Sequence, residues 1–160
     1  MAFAAPSLKG RALRLLGQRE HSRAELQRKL AKYEEDPGAL ARALDELAAK
    51  DFISETRVVE SVLHQRAPRL GALRVRQELA QKGIAPDAIA QAVAALQATE
   101  FERAREVWRR RFGVPAQDAA ARAKQTRFLL ARGFAGAVVA KVLRGAQAED
   151  GPALETDEAE

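Results

Sequence analysis

Residues 71–84 read GALRVRQELAQKGI and contain the pattern that recurs along the chain. Val75 and Leu79 are four residues apart, as on one face of an α-helix, and Gly83 followed by Ile84 is typical of a helix end. A glycine there can adopt the left-handed conformation that terminates a helix, and the apolar residue after it packs back onto the last turn. The segment therefore predicts one helix from about residue 71 to residue 82, buried along one side.

The same pattern occurs three times in the chain. Leu26, Leu30, Leu40, Leu44, Leu47 and Phe52 recur 49 positions later as Val75, Leu79, Ile89, Val93, Leu96 and Phe101. Fifty positions further on, Leu79, Gly83, Ile84, Ile89 and Val93 return as Leu129, Gly133, Phe134, Val139 and Leu143. A fixed period of this size indicates one supersecondary unit used three times, with neighbours covering each other's apolar faces. Such arrays usually bind something along their length, which favours a binding or regulatory protein.

Proline and glycine fall at the boundaries of segments that have helical periodicity, and no segment alternates as a strand does. We therefore predict an all-α fold of three tandem three-helix repeats, helix-turn-helix-like units in an elongated curved array. The repeats are predicted over residues 9–53, 54–99 and 100–144. A disordered N-terminus over residues 1–8 and an acidic disordered tail over residues 145–160 flank them.

Helix ends can be placed from local chemistry. Ser22 and Glu25 form a capping box, Asp36 and Pro37 predict the start of the third helix, and Pro86 predicts the start of the sixth. The repeat is weakest near the C-terminus, where Gln125 occupies the position of Leu26 and Val75; we expect Phe128 to cover the gap. A second departure is Lys32-Tyr33, which replaces the glycine cap in the first repeat and predicts a different exit from that helix.

The charge is unevenly distributed. The 27 cations and 16 of the 22 anions lie in residues 1–144, so this part carries +11, while the six anions beyond Arg144 give the tail −6. A basic body favours an anionic partner, either nucleic acid or an acidic protein surface. The tail has two interpretations, a solubilising segment or an acidic strip that competes with the anionic ligand.

Several classes of protein are not expected. The chain has no cysteine, so neither disulfides nor a thiolate metal site can form. Residues 1–10 do not resemble a secretory signal, and no apolar stretch is long enough to span a membrane. His21 and His64 lack patterned partners, and no phosphate-binding loop or HExxH motif occurs. We expect no enzymatic activity, no cofactor and no metal, and a cytoplasmic location.

The second helix of each repeat is cationic, which predicts a repeated basic stripe. A run of arginines on the first helix of the third repeat adds to it. The predicted binding residues are Arg23, Arg28, Lys29, Arg69, Arg74, Arg76, Lys82, Arg109, Arg110, Arg122, Lys124, Arg127 and Arg132. Trp108 and Phe112 are four residues apart and are interpreted as core.

Four segments resemble the RecX family, the bacterial regulators of the RecA recombinase. Residues 71–84 are similar to the middle signature of that family, and residues 127–134, RFLLARGF, to its C-terminal one. Residues 19–26, REHSRAEL, are similar to the N-terminal signature, and residues 109–113, RRRFG, to the basic stretch before the last unit. The resemblance covers about residues 8–144 in the same order and spacing.

The resemblance implies a non-enzymatic protein that docks into the groove of the RecA–single-stranded DNA filament, and our default expectation for the chain itself is an elongated monomer. It implies inhibition of recombinase, ATPase and coprotease activities, with single-stranded DNA as a contact and duplex DNA left open as a further one. The alternative is a helix-turn-helix-type protein that acts on bare DNA, and a scaffold for an unrelated acidic protein is a third hypothesis.

Overall fold

The computed structural model describes residues 3–151, and every regular element in that range is a helix. The first repeat consists of α1 (Leu8–Gln18), α2 (Arg23–Leu30) and α3 (Ala39–Ala49), with a 3-10 turn over Ala31–Tyr33. The second repeat consists of α4 (Glu55–Arg66), α5 (Ala72–Gln81) and α6 (Pro86–Gln97). The third repeat consists of α7 (Glu100–Arg111), α8 (Ala119–Ala131) and α9 (Gly136–Glu149). The predicted all-α fold of tandem three-helix repeats is confirmed.

The described chain divides into two compact units. The first unit comprises the residues up to Arg66 together with Val75–Ala94, and the second comprises Ala67–Arg74 together with the residues from Ala95 onward. The N-terminal end of α5 thus belongs to the second unit and the remainder of that helix to the first.

The core of the first unit contains a cluster formed by the three helices of the first repeat. Its buried members are Ala12, Leu26, Leu30, Leu40, Leu44 and Leu47. The i,i+3 and i,i+4 spacing of these residues places them on one side of each helix, which is why three short helices can cover one another. Phe52, which the repeat pattern groups with them, is instead 46% exposed.

The core of the second unit is built around an aromatic side chain and a buried amide. Trp108 packs with Leu129, Phe134 and Val139 and donates its Nε1–H to Gln125 Oε1 at 2.9 Å. The Gln125 amide donates in turn to the Val114 carbonyl at 3.1 Å. Phe128 packs against this cluster as a partly buried side chain, but it does not replace Gln125, which is itself buried. Gln125 fills the position itself, because the indole supplies a partner for its oxygen.

Most helix ends follow the predicted caps. Both hydrogen bonds of the Ser22–Glu25 capping box form, and Pro86 begins α6. At the end of α5 the Ile84 N–H donates to the Leu79 carbonyl and the Gly83 N–H to the Ala80 carbonyl, the paired bonds of a Schellman motif. Gly133 and Phe134 end α8 with the same pair of bonds.

Two predicted boundaries differ from the structure. Helix α3 begins at Ala39 with Gly38 as its N-cap, because the Gly38 N–H donates to the Glu34 carboxylate and a turn precedes the helix; Asp36 and Pro37 lie in that turn. Helix α9 continues past residue 144 to Glu149, since Ala146 is buried in the core and Glu149 pairs with Arg105 at 2.6 Å. Residues 145–149 are therefore helical, and the rest of the predicted tail beyond Gly151 lies outside the described residues.

The N-terminal boundary shifts by one residue, since α1 begins at Leu8 with Ser7 as its N-cap. Residues 1 and 2 of the predicted disordered N-terminus lie outside the described range. The end of the second helix in the first repeat differs from the other two, as Lys32-Tyr33 predicts. Helix α2 passes into the 3-10 turn and has no left-handed glycine at its end.

Candidate functional site

The predicted cations separate into two groups, those whose charged group contacts another described residue and those that make no ion pair with one. Lys82 belongs to the first group. Its ammonium donates to Glu25 Oε1 at 2.9 Å, and only 16% of its side chain is exposed. Arg19 donates to the same carboxylate oxygen at 2.9 Å, and the Ser22 N–H donates to Glu25 Oε2 at 2.9 Å.

Glu25 is consequently a buried charge with three donors. Burial acts to raise the pKa of its carboxyl, but the donations from Arg19, Ser22 and Lys82 outweigh it and lower the pKa to about 2. Lys82 is therefore a structural cation that keeps this carboxylate ionised.

Arg28 and Arg74 contact the C-terminal end of the following second helix. In the first unit the Arg28 guanidinium donates to the Gln81 carbonyl at 2.8 Å. In the second unit the Arg74 guanidinium donates to the Ala131 carbonyl at 3.2 Å. The last carbonyls of a helix lack intrahelical partners and lie at its negative end, so a guanidinium there stabilises the helix.

The remaining members of the first group have nearby intramolecular partners. Arg23 pairs with Asp45 at 2.6 Å, and both Arg109 and Arg110 pair with Glu106. Lys29 donates to His21 Nε2 at 3.2 Å, and Arg132 lies 4.9 Å from the centre of the Phe128 ring. These contacts, at the surface apart from the buried His21, cost little to exchange for an external anion.

The second group is exposed and makes no ion pair with another residue of the range 3–151. Its members are Arg69, Arg76, Arg122, Lys124 and Arg127. Three of them lie on α8, where Lys124 and Arg127 are separated by about 60° around the helix axis. Helix α8 thus carries the greatest uncompensated charge among the three second helices.

The structure also brings together five cations that the predicted binding set does not group. A groove of about 770 Å³ in the first unit lies between α1, the end of α2 and the 3-10 turn. Two of its cations, Arg28 and Lys29, are predicted binding residues, and three others were not in that set, namely Arg11, Arg14 and Lys32. The i,i+3 spacing of Arg11 and Arg14 on an amphipathic helix was the sequence signal that could have identified them.

One of the two histidines, His21, is held inside the fold by two contacts. His21 is buried, accepts from Lys29 at Nε2 and lies 3.0 Å from the Arg19 carbonyl at Nδ1, which fits a neutral ring with its proton on Nδ1. Burial lowers the pKa of His21, and the nearby charges of Arg19 and Lys29 act in the same direction. No group of acidic and histidine side chains within residues 3–151 is arranged to hold a metal ion.

Comparison with known families assigns all three repeats. Residues 9–47, 54–93 and 98–143 match the profiles of the first, second and third three-helix domains of RecX, in that order. The chain belongs to the RecX family. Regulatory protein RecX of Leptothrix cholodnii is 56% identical over 143 residues, which cover 89% of this chain and 91% of the relative. Regulatory protein RecX of Ralstonia nicotianae is 51% identical over 142 residues, covering 89% of each.

Solved structures support the same fold. The crystal structure of RecX from Lactobacillus salivarius superposes with a TM-score of 0.71 at 18% identity, over 88% of this chain and 95% of that one. A second crystal structure of regulatory protein RecX gives a TM-score of 0.70 at 20% identity, over 84% and 70% of the two chains. Within the part of the chain that the structure describes, no helix is both long and apolar enough to span a bilayer.

Proposed function

We propose that this RecX-family chain binds the RecA–single-stranded DNA filament and modulates it, mostly by inhibiting recombinase, ATPase and coprotease activities. The observation that carries the proposal is the ordered match of all three repeats to RecX domains. The protein then acts as a non-enzymatic cytoplasmic monomer in homologous recombination, DNA repair and the SOS response.

The repeats supply a physical mechanism for this activity. A filament presents the same anionic site at regular intervals, and a chain of similar domains can bind more than one site. After the first contact the later ones are intramolecular, so several weak contacts give a high overall affinity. Occupation of adjacent sites would oppose the changes in subunit contacts that accompany filament growth and ATP hydrolysis.

The contacts within each unit decide which cations can test the proposal. Lys82 and Arg74 are poor choices, because their removal would leave Glu25 or a helix end without a partner. Lys124 and Arg127 are exposed on α8 and make no ion pair within residues 3–151. Their substitution removes charge with little effect on folding.

The experiment titrates the chain against ATP hydrolysis by RecA on single-stranded DNA. The double variant Lys124→Gln/Arg127→Gln should raise the concentration for half inhibition about tenfold, because two anion contacts are lost. The matched control is Arg42→Gln/Arg144→Gln, which removes the same charge from exposed positions on α3 and α9. That control should stay within about twofold of the unmodified chain, since those helices carry none of the predicted binding residues.

Equal increases in the concentration for half inhibition in the two double variants would contradict a binding role for the second helix of each repeat. A comparison of bare single strands, bare duplex and RecA-coated strands separates the proposal from the alternative of a protein that acts on bare DNA. Preference for bare duplex with sequence discrimination would favour direct readout of base edges and would overturn the filament proposal.

A further inference from the structure

The groove in the first unit is strongly cationic. It is lined by Arg11 and Arg14 of α1, Arg28 and Lys29 of α2, and Lys32 of the 3-10 turn. No carboxylate is among its eleven lining residues. None of the five cations makes an ion pair with a described residue, so the groove concentrates positive charge that the fold itself does not neutralise.

An aromatic side chain lies within this charge. Tyr33, the only tyrosine of the chain, lines the groove and is 39% exposed. The guanidinium carbon of Arg11 is 3.8 Å from the centre of the tyrosine ring, and the Lys32 ammonium is 5.1 Å from it. The guanidinium thus lies over one face of the ring, and the outer flat surface of this stacked pair can take a nucleobase.

We propose that this groove is a binding site for single-stranded nucleic acid. Arg14, Lys29 and Lys32 contact successive phosphates, and a base stacks on the platform formed by Arg11 and Tyr33. Cations that follow the backbone and an aromatic ring that takes a base are the combination by which proteins bind single strands without sequence preference. The inference deepens the proposed function, on which it rests, by naming where the chain contacts the single strand.

The aromatic ring favours a nucleic acid over an acidic peptide. A carboxylate-rich segment would be attracted by the five cations alone, and a half-exposed ring would add little to its affinity. Duplex DNA is also less suitable, because its bases are already stacked and cannot reach the ring without unpairing. A single strand uses both the charge and the ring.

The test measures fluorescence anisotropy of a labelled 20-nucleotide thymidine oligomer with the full chain in the absence of RecA. Tyr33→Leu should weaken binding at least about fivefold, the loss expected for one base–aromatic stack, whereas Tyr33→Phe should stay within about twofold because a phenyl ring also stacks. Arg14→Gln should weaken binding more than Arg42→Gln, an equal loss of charge on the exposed face of α3. Circular dichroism checks that each variant unfolds at the same temperature as the unmodified chain.

Three results would overturn the inference. The first is binding by Tyr33→Leu within twofold of the unmodified chain, and the second is equal weakening by Arg14→Gln and Arg42→Gln. The third comes from a competition experiment with polyglutamate at equal charge concentration. If polyglutamate displaces the oligomer from Tyr33→Leu and from the unmodified chain with the same potency, the groove is a site for acidic proteins.

The RecA ATPase titration of the unmodified chain distinguishes this failure from failure of the proposed function. If the unmodified chain inhibits RecA but Tyr33→Leu binds the oligomer normally, only the groove assignment is wrong. If oligomer binding depends on Tyr33 but RecA is unaffected by the unmodified chain, the groove assignment holds and the filament proposal fails.

Discussion

Glu25 connects folding of the first unit to pH. It closes the capping box of α2 and accepts from Lys82 beyond the end of α5, so one carboxylate holds together two repeats within the first unit. Its pKa is lowered to about 2 in the folded chain, even though burial acts in the opposite direction. An acid with a lowered pKa stabilises the fold above its unfolded pKa, near 4.3, and this contribution is lost as the pH falls toward 2.

Glu25→Gln should therefore destabilise the chain by about 2–3 kcal/mol at pH 7, the order expected from a lowering of the pKa by about two units. The difference in free energy of unfolding between the variant and the unmodified chain should shrink as the pH falls from 4.5 to 2.5, because the carboxyl binds a proton in the unfolded chain, where its pKa is near 4.3, before it does so in the folded chain. Urea unfolding of both chains, followed by circular dichroism at pH 7, 4.5 and 2.5, measures this difference.

The matched control is Glu46→Gln, whose carboxylate pairs with Lys9 at 3.2 Å but is 61% exposed. An exposed pair of this kind contributes little, so the free energy of unfolding should change by less than about 0.5 kcal/mol at each pH. If the difference in free energy of unfolding between Glu25→Gln and the unmodified chain stays constant from pH 7 to 2.5, the Glu25 carboxylate does not titrate as proposed.

At the scale of helices, the C-terminal end of α5 packs closely against the start of α2, and the C-terminal end of α8 packs closely against the start of α5. A Cβ at Gly83 would lie 2.7 Å from the Ala24 Cβ in the first unit. In the second unit, a Cβ at Gly133 would lie 2.6 Å from the Arg74 nitrogen and 2.7 Å from the Arg74 Cβ. Both glycines have positive φ, 72° and 86°, so these positions need glycine for conformation and for space.

Gly133→Ala should destabilise the chain by about 2–4 kcal/mol, since a left-handed alanine is strained and the backbone of α5 must also move. Gly145→Ala is the control, because nothing lies within 4 Å of a Cβ there and the residue is inside α9. It should stabilise the chain by about 0.5–1 kcal/mol through helix propensity. Thermal unfolding of both variants checks the prediction, and a destabilising Gly145→Ala would contradict the helical assignment of residues 145–149.

The same elements show what the sequence could and could not predict. Gly83-Ile84 and Ser22–Glu25 place helix ends correctly because their hydrogen bonds join residues three to five apart. The bond from Arg74 to the Ala131 carbonyl joins residues 57 apart, and no local pattern encodes it. The groove was missed for the same reason, since Arg14 and Lys32 come from different elements that only packing places together.

At the scale of the whole chain, the predicted acidic tail separates into two parts. Glu149 and Asp150 lie within the described residues, and Glu149 is engaged by Arg105. Four acids, Glu155, Asp157, Glu158 and Glu160, follow Gly151 in the sequence. Of the two interpretations of the tail, competition with an anionic ligand rests on these four charges, which lower the formal net charge from +9 to +5.

Deletion of residues 152–160 should raise affinity for the thymidine oligomer several-fold at about 50 mM salt, because four charges that repel the ligand are removed. The gain should largely disappear at about 300 mM salt, since exposed charges are screened over less than about 10 Å. A full-length variant with Glu155→Gln, Asp157→Asn, Glu158→Gln and Glu160→Gln is the control for chain length, and it should bind like the deletion. If the neutral variant binds like the unmodified chain while the deletion binds more tightly, the segment acts by occupying space, and competition by charge is refuted.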